Sequence, residues 1–166
     1  PTPVEKEEDN QITFPWIHES PLSNPTDINQ SIPIIFDLIL SLAKRKSVEV
    51  IFETTENLPL LAVHALAFRQ MMLTLLGESL KSCAGGNVRL GFGISENQVD
   101  FHLTGSPPQG LTITHTVDLN LVDQLSTFYK GTLRTENDTA QLNIHLVLPI
   151  LVQTPILVID DNVDIL

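Results

Sequence analysis

LLAVHALAFRQMMLTLLGESLKSCAGGNVRLGFGISENQVDFHL, residues 60–103, carries three structural statements in succession. Residues 60–83 show helical spacing, with Leu66, Met72, Leu73, Leu76 and Leu80 as an apolar stripe. Ala84, Gly85 and Gly86 then stop the helix, glycine being the residue that tolerates the left-handed turn after a last helical residue. Beyond them the period changes from 3.6 to 2: Val88, Leu90, Phe92 and Ile94 alternate, SENQ turns the chain, and Val99, Phe101 and Leu103 alternate again. A helix feeding a hairpin with one apolar face on each strand predicts helices stacked on one side of a sheet.

Outward from this stretch the pattern continues. Upstream, Asp27 stands as N-cap of a helix reaching about Lys46, where Lys44, Arg45 and Lys46 suit the negative end of the helix dipole. Pro33 requires either a start nearer Ser31 or a kink. VEVIFE, residues 48–53, follows as a strand. Downstream, residues 105–116 form a Pro- and Thr-rich connector, residues 117–129 a third helix, and TLRTE and QLNIHLVLP a second hairpin turning at Asn137 and Asp138. The expectation is an α+β, two-layer sandwich: a mixed, mostly antiparallel sheet with its helices on one face. Residues 1–26 read as an extended lead-in, 27–150 as the folded domain, and 151–166 as a linker with one further strand.

Twenty acidic against nine basic residues leave a net charge of −11, a poor field for nucleic-acid phosphates. The longest apolar stretch, residues 32–43, is interrupted and too short to span a bilayer, and no leader segment is visible, so the chain reads as cytoplasmic with no membrane contact of its own. The single Cys83 forbids an intrachain disulfide and reads as an inert thiol. The five histidines lack metal-ligand spacing, and nothing brings a Ser or Cys to a His as a nucleophile, so no catalytic residue is assigned.

Residues 27–149 resemble the ATP-binding catalytic domain of bacterial sensor histidine kinases. DINQSIPIIFDLILSLAKRKSVEVIFETTENLP is similar to that family's opening, and FRQMMLTLLGESLK to its asparagine-box helix, with Arg69, Gln70, Leu73, Leu75, Leu76, Gly77 and Lys81 where the family wording expects them. The final ILVIDDN resembles the first strand of a response-regulator receiver domain, whose acidic pair, here Asp160 and Asp161, holds Mg²⁺. Together they imply a hybrid kinase. Its partners would be the dimerisation hairpin and receiver domain of the same parent protein, with a homodimer possible.

The resemblance thins where the chemistry should be. The family's metal-holding Asn corresponds to Glu78, and its second Asn or Glu to Thr74. As a lone acid Glu78 reads as a solvated residue on a polar helix face, with Mg²⁺ ligation the alternative; Lys81 is retained beside it. Thr104 or Gly105 replaces the adenine-binding Asp, Pro107 and Pro108 stand among the expected glycines, and Thr116 and Asp118 replace the later glycine box. The intervening lid is shortened. His18 echoes the phospho-acceptor phrase but lacks its helix and spacing. These departures imply a regulatory scaffold without a bound cofactor, docking through its first helix and Phe14 and Trp16. The alternatives are an atypical working kinase using Mg²⁺–ATP, or a different small ligand in the vacated cleft.

Overall fold

The computed structural model describes residues 23–53, 57–136 and 138–152. The order of elements is β1 (Pro25–Asp27), α1 (Ile28–Lys46), β2 (Glu49–Phe52), β3 (Leu60–His64), α2 (Ala65–Ser82), β4 (Asn87–Ile94), β5 (Gln98–Ser106), α3 (Asn120–Phe128), β6 (Thr132–Thr135) and β7 (Leu142–Pro149). Five strands form a mixed sheet in the order β2-β4-β5-β7-β6, parallel only between β2 and β4. The α+β sandwich expected from the alternation is therefore the architecture observed.

Each strand sorts its residues by face because side chains alternate with period two. Val88, Leu90, Val99, Phe101, Leu103, Leu142, Ile144, Leu146 and Leu148 are buried on the helical side. Against them α1 contributes Ile28, Ile35, Ile39 and Ala43, α2 contributes Phe68, Met71, Met72, Leu75, Leu76 and Leu80, and α3 contributes Val122 and Leu125. The other sheet face carries Arg89, Asp100, His102, Arg134 and His145.

Asp27 caps α1 as its sequence position suggests, Oδ1 accepting from the amides of Asn29 (2.9 Å) and Gln30 (3.3 Å). The helix runs through Pro33 rather than starting after it. Pro33 sits on the exposed side, where its missing N–H leaves the Asn29 carbonyl to solvent. Lys44, Arg45 and Lys46 close the last turn.

Three boundaries differ from the sequence reading. Residues 60–64 are a strand, β3, paired antiparallel with β1 in a separate two-stranded sheet. Leu61 and Val63 point into the core from it, and His64 Nδ1 accepts from the Leu66 amide at 3.3 Å to start α2. Leu66 consequently lies outside the buried stripe and is 46% exposed. β5 extends to Ser106, so Thr104 and Gly105 are ladder residues opposite Asn143 and Leu142. A Cβ on Gly105 would stand 2.7 Å from Cys83 Sγ, so the bare backbone there accommodates the end of α2. α3 begins three residues late, at Asn120, whose amide donates to Asp118 Oδ1 at 3.2 Å. Cys83 is buried, and desolvation pushes its thiol up to about 11, which keeps it protonated and unreactive.

Candidate functional site

Residues 70, 74, 77, 78 and 81 fall along one side of α2 by helical spacing, and this side faces away from the core. Gln70 Nε2 donates to Thr74 Oγ1 at 3.4 Å, so Thr74 is engaged along its own helix. One turn later the pattern stops being local. Glu78, with only 13% of its side chain exposed, receives three donors: Lys81 Nζ on Oε1, His115 Nε2 on Oε2 at 3.2 Å, and the Asp118 amide on Oε2 at 3.5 Å. The expected solvated acid is thus a half-buried anchor, tying α2 to the connector 107–119. Lys81 is not free either; it is the ion-pair partner of Glu78.

The connector reaches this position by a defined route. It leaves β5 at Ser106, whose Oγ accepts from Asn87 Nδ2 at 3.0 Å, and crosses the Gly85–Gly86 corner at the end of α2. A Cβ on Gly86 would strike the Ser106 carbonyl oxygen and lie 2.9 Å from Pro107 Cα; one on Gly85 would lie 3.0 Å from Pro108 Cγ. The two prolines therefore pack onto the two glycines. The Leu111 amide donates to the Pro108 carbonyl at 3.0 Å, and the Ile113 amide to the Thr139 carbonyl at 2.8 Å. The strand of connector that follows brings His115 and Asp118 to Glu78.

Burial acts to raise the Glu78 pKa, but hydrogen bonds from Lys81, His115 and the Asp118 amide outweigh it, so the carboxyl lies below its ordinary value of 4.5. A group whose folded pKa is depressed contributes stability above its unfolded pKa, and that contribution is lost as pH falls through the folded value. Glu78→Gln is accordingly expected to be less stable than the parent chain at neutral pH, by on the order of 1 kcal/mol. The difference should shrink as the pH is taken below 4.5. Urea denaturation of both proteins across that range measures it; a difference independent of pH contradicts the charged latch.

Two open hollows adjoin the connector. One, of about 280 Å³, is lined by Val117, Leu119, Asn120, Asp123, Leu133 and Thr135. The other, of about 460 Å³, is lined by residues 113–117 with Thr135, Asp138 and Thr139. Their ionisable lining residues are Asp123, Asp138 and His115, with no Lys or Arg. Among the described residues no three His, Cys, Asp or Glu side chains converge as a metal site. Asp160, Asp161, His18, Phe14 and Trp16 lie outside the described residues. His115 was missed in the sequence because nothing within the connector marks it; its partner is 37 residues away.

No known protein-family profile matches the chain, and no curated protein sequence matches it. Solved structures do. The nucleotide-free catalytic domain of histidine kinase ThkA is similar with a TM-score of 0.64 at 14% identity, over 76% of this chain and 95% of that one. The mycobacterial sensor histidine kinase MprB is similar with a TM-score of 0.60 at 19% identity, over 76% and 98%. ThkA in complex with the response regulator protein TrrA matches with a TM-score of 0.63 at 16% identity, over 76% and 41%. Identities this low speak to architecture rather than chemistry. The described residues thus have the fold of the catalytic domain of histidine kinases.

Proposed function

We propose that the chain is a degenerate ATP-binding-type domain of a hybrid sensor histidine kinase, serving two-component signal transduction as a regulatory scaffold that does not bind ATP. The observation that carries this reading is the closure of Glu78 by its own chain. At the position where the fold's relatives in sequence pattern place a metal-holding Asn, the carboxylate already has Lys81, His115 and the Asp118 amide as partners. A cation there would compete with these donors for the carboxylate oxygens. The donor set fits a triphosphate poorly as well, because the hollows beside the connector present Asp123 and Asp138 and no basic side chain. Pro107 and Pro108, packed on Gly85 and Gly86, occupy the exit from β5 where a mobile lid would need slack.

The partners proposed are the dimerisation hairpin and the receiver domain of the same parent protein, with Asp160 and Asp161 as the receiver's acidic Mg²⁺-binding pair, and a homodimer. The complex of ThkA with a response regulator supports a receiver-type partner. A cytoplasmic location fits a described region in which no helix is long and apolar enough to cross a membrane. Phe14, Trp16 and the outer side of α1, where Ile34 and Leu38 are about half exposed, are the proposed docking elements.

One observation favours a second reading, an atypical kinase domain transferring the γ-phosphate of ATP to a histidine of a partner. A Cβ on Gly77 would meet nothing within 4 Å, so α2 keeps open space beside Glu78, and a carboxylate is a competent Mg²⁺ ligand. Calorimetric titration with Mg²⁺–ATP separates the two. The scaffold reading expects no saturable heat; micromolar binding overturns it. Thermal shifts with other nucleotides test whether a different ligand uses the hollows.

A further inference from the structure

The exposed face of the sheet holds a side-chain cluster unconnected with Glu78. His102 on β5 and His145 on β7 are direct partners across an antiparallel pair, which sets their Cβ atoms about 5 Å apart. Each ring has a carboxylate beside it, and only that of His145 is at hydrogen-bond distance. His145 Nδ1 lies 3.0 Å from Asp100 Oδ2 and 3.2 Å from Oδ1. His102 extends over Gly91 on β4, where a Cβ would collide with its ring, and its Nε2 stands 3.8 Å from Glu53 Oε2. Arg89 in turn holds Glu53 Oε1 at 3.3 Å.

This arrangement selects a tautomer at His145. A carboxylate beside Nδ1 of His145 keeps the proton there and leaves Nε2 with a bare lone pair; Glu53, at 3.8 Å from His102 Nε2, is beyond hydrogen-bond distance and leaves that ring to present either nitrogen. A carboxylate on the far nitrogen is how metal-bound imidazoles are oriented and made more basic. The spacing is close to what one ion needs. An imidazole bound through one nitrogen at about 2.0 Å places its centroid about 3 Å from the metal, so two rings on one ion stand roughly 5 to 6 Å apart. The observed centroids are 6.3 Å apart with the planes 28° from parallel. The gap beyond that range is a few tenths of an ångström, and both side chains are partly exposed, so binding would draw the rings together by χ rotation, chiefly at His102, which no hydrogen bond among the described residues holds.

We propose that His102 and His145 form a two-nitrogen clamp for a first-row divalent cation of the Zn²⁺ class, with water completing the coordination and Asp100 orienting His145. The clamp is independent of the nucleotide question, since it lies on the sheet face opposite the helices. Its substitutions remove no core side chain, so the variants are expected to fold.

The test is a titration of the untagged chain with Zn²⁺ by calorimetry, alongside NMR of the histidine ring nitrogens. A single saturable site is expected, with His145 Nε2 and one ring nitrogen of His102 shifting on binding. His102→Asn and His145→Asn should each abolish the site, Asp100→Asn should weaken it about tenfold, and His115→Asn should leave it unchanged. Circular dichroism confirms that each variant is folded. The proposal is overturned by the absence of saturable binding, by binding that survives either His102→Asn or His145→Asn, or by a response to His115→Asn in their place.

Discussion

Replacing Phe101 with alanine is expected to remove about 3–5 kcal/mol from the free energy of unfolding. Phe101 is fully buried at the centre of β5, flanked in register by Phe92 on β4 and Leu146 on β7. Its ring meets Phe68 of α2 at 5.4 Å and Phe92 at 5.6 Å, the first tilted by 52° and the second near perpendicular at 77°. Such aromatic pairs add about 0.5–1.5 kcal/mol beyond the area they bury. Truncation therefore loses transfer energy and both ring contacts, and leaves a cavity where α2 rests on the sheet. Since a domain of this kind has roughly 5–15 kcal/mol in total, the variant approaches the unfolding threshold. Urea denaturation measures it, with Phe101→Leu as a milder companion expected to cost less than about 1.5 kcal/mol. A loss below 1 kcal/mol for Phe101→Ala would mean that the helical layer is not seated on this residue.

The same alternation that buries Phe101 made much of the fold legible beforehand. Val88, Leu90, Val99, Phe101 and Leu103 announce their strands because one sheet face is dry and the other wet. Asp27 and the Lys44–Lys46 run mark the ends of α1 through the orphaned amides and carbonyls they serve. β3 was not legible, because Leu61 and Val63 continue without a break into the apolar residues of α2, and a short apolar run fits either period. Its partner β1 is three residues long and begins with Pro25. The resemblance to a known helix phrase pointed to Glu78 and Lys81, whereas the donors that engage Glu78 from the connector depend on tertiary approach. His102 and His145 show the same limit. Alternation places each on the wet face of its strand, but their being opposite each other is a matter of register, which the turn and the whole ladder decide.

Gly86→Ala is the substitution expected to affect the connector most. The new Cβ would collide with the Ser106 carbonyl oxygen and stand 2.8 Å from the Pro107 carbonyl carbon and 2.9 Å from Pro107 Cα. All three obstacles are backbone, so no rotamer change relieves them. Gly86 cannot retreat easily, since its amide donates to the Cys83 carbonyl and its own carbonyl accepts from the Glu49 amide, both at 2.9 Å. The expected cost is about 3 kcal/mol, the upper end of the usual range for overpacking. Gly77→Ala offers the contrast: its Cβ meets nothing within 4 Å, and it should gain about 0.5–1 kcal/mol from helix propensity. The informative readout is at Glu78. If the prolines on the glycine corner hold the connector in place, Gly86→Ala should loosen His115 and the Asp118 amide together, and the Glu78 carboxyl should titrate closer to 4.5. An unchanged titration would show the connector to be anchored from its other end, through Ile113 and Thr139. Should the loosened variant still give no heat with Mg²⁺–ATP, the barrier to nucleotide lies in the missing carboxylate near Thr104 and Gly105 and not in the latch.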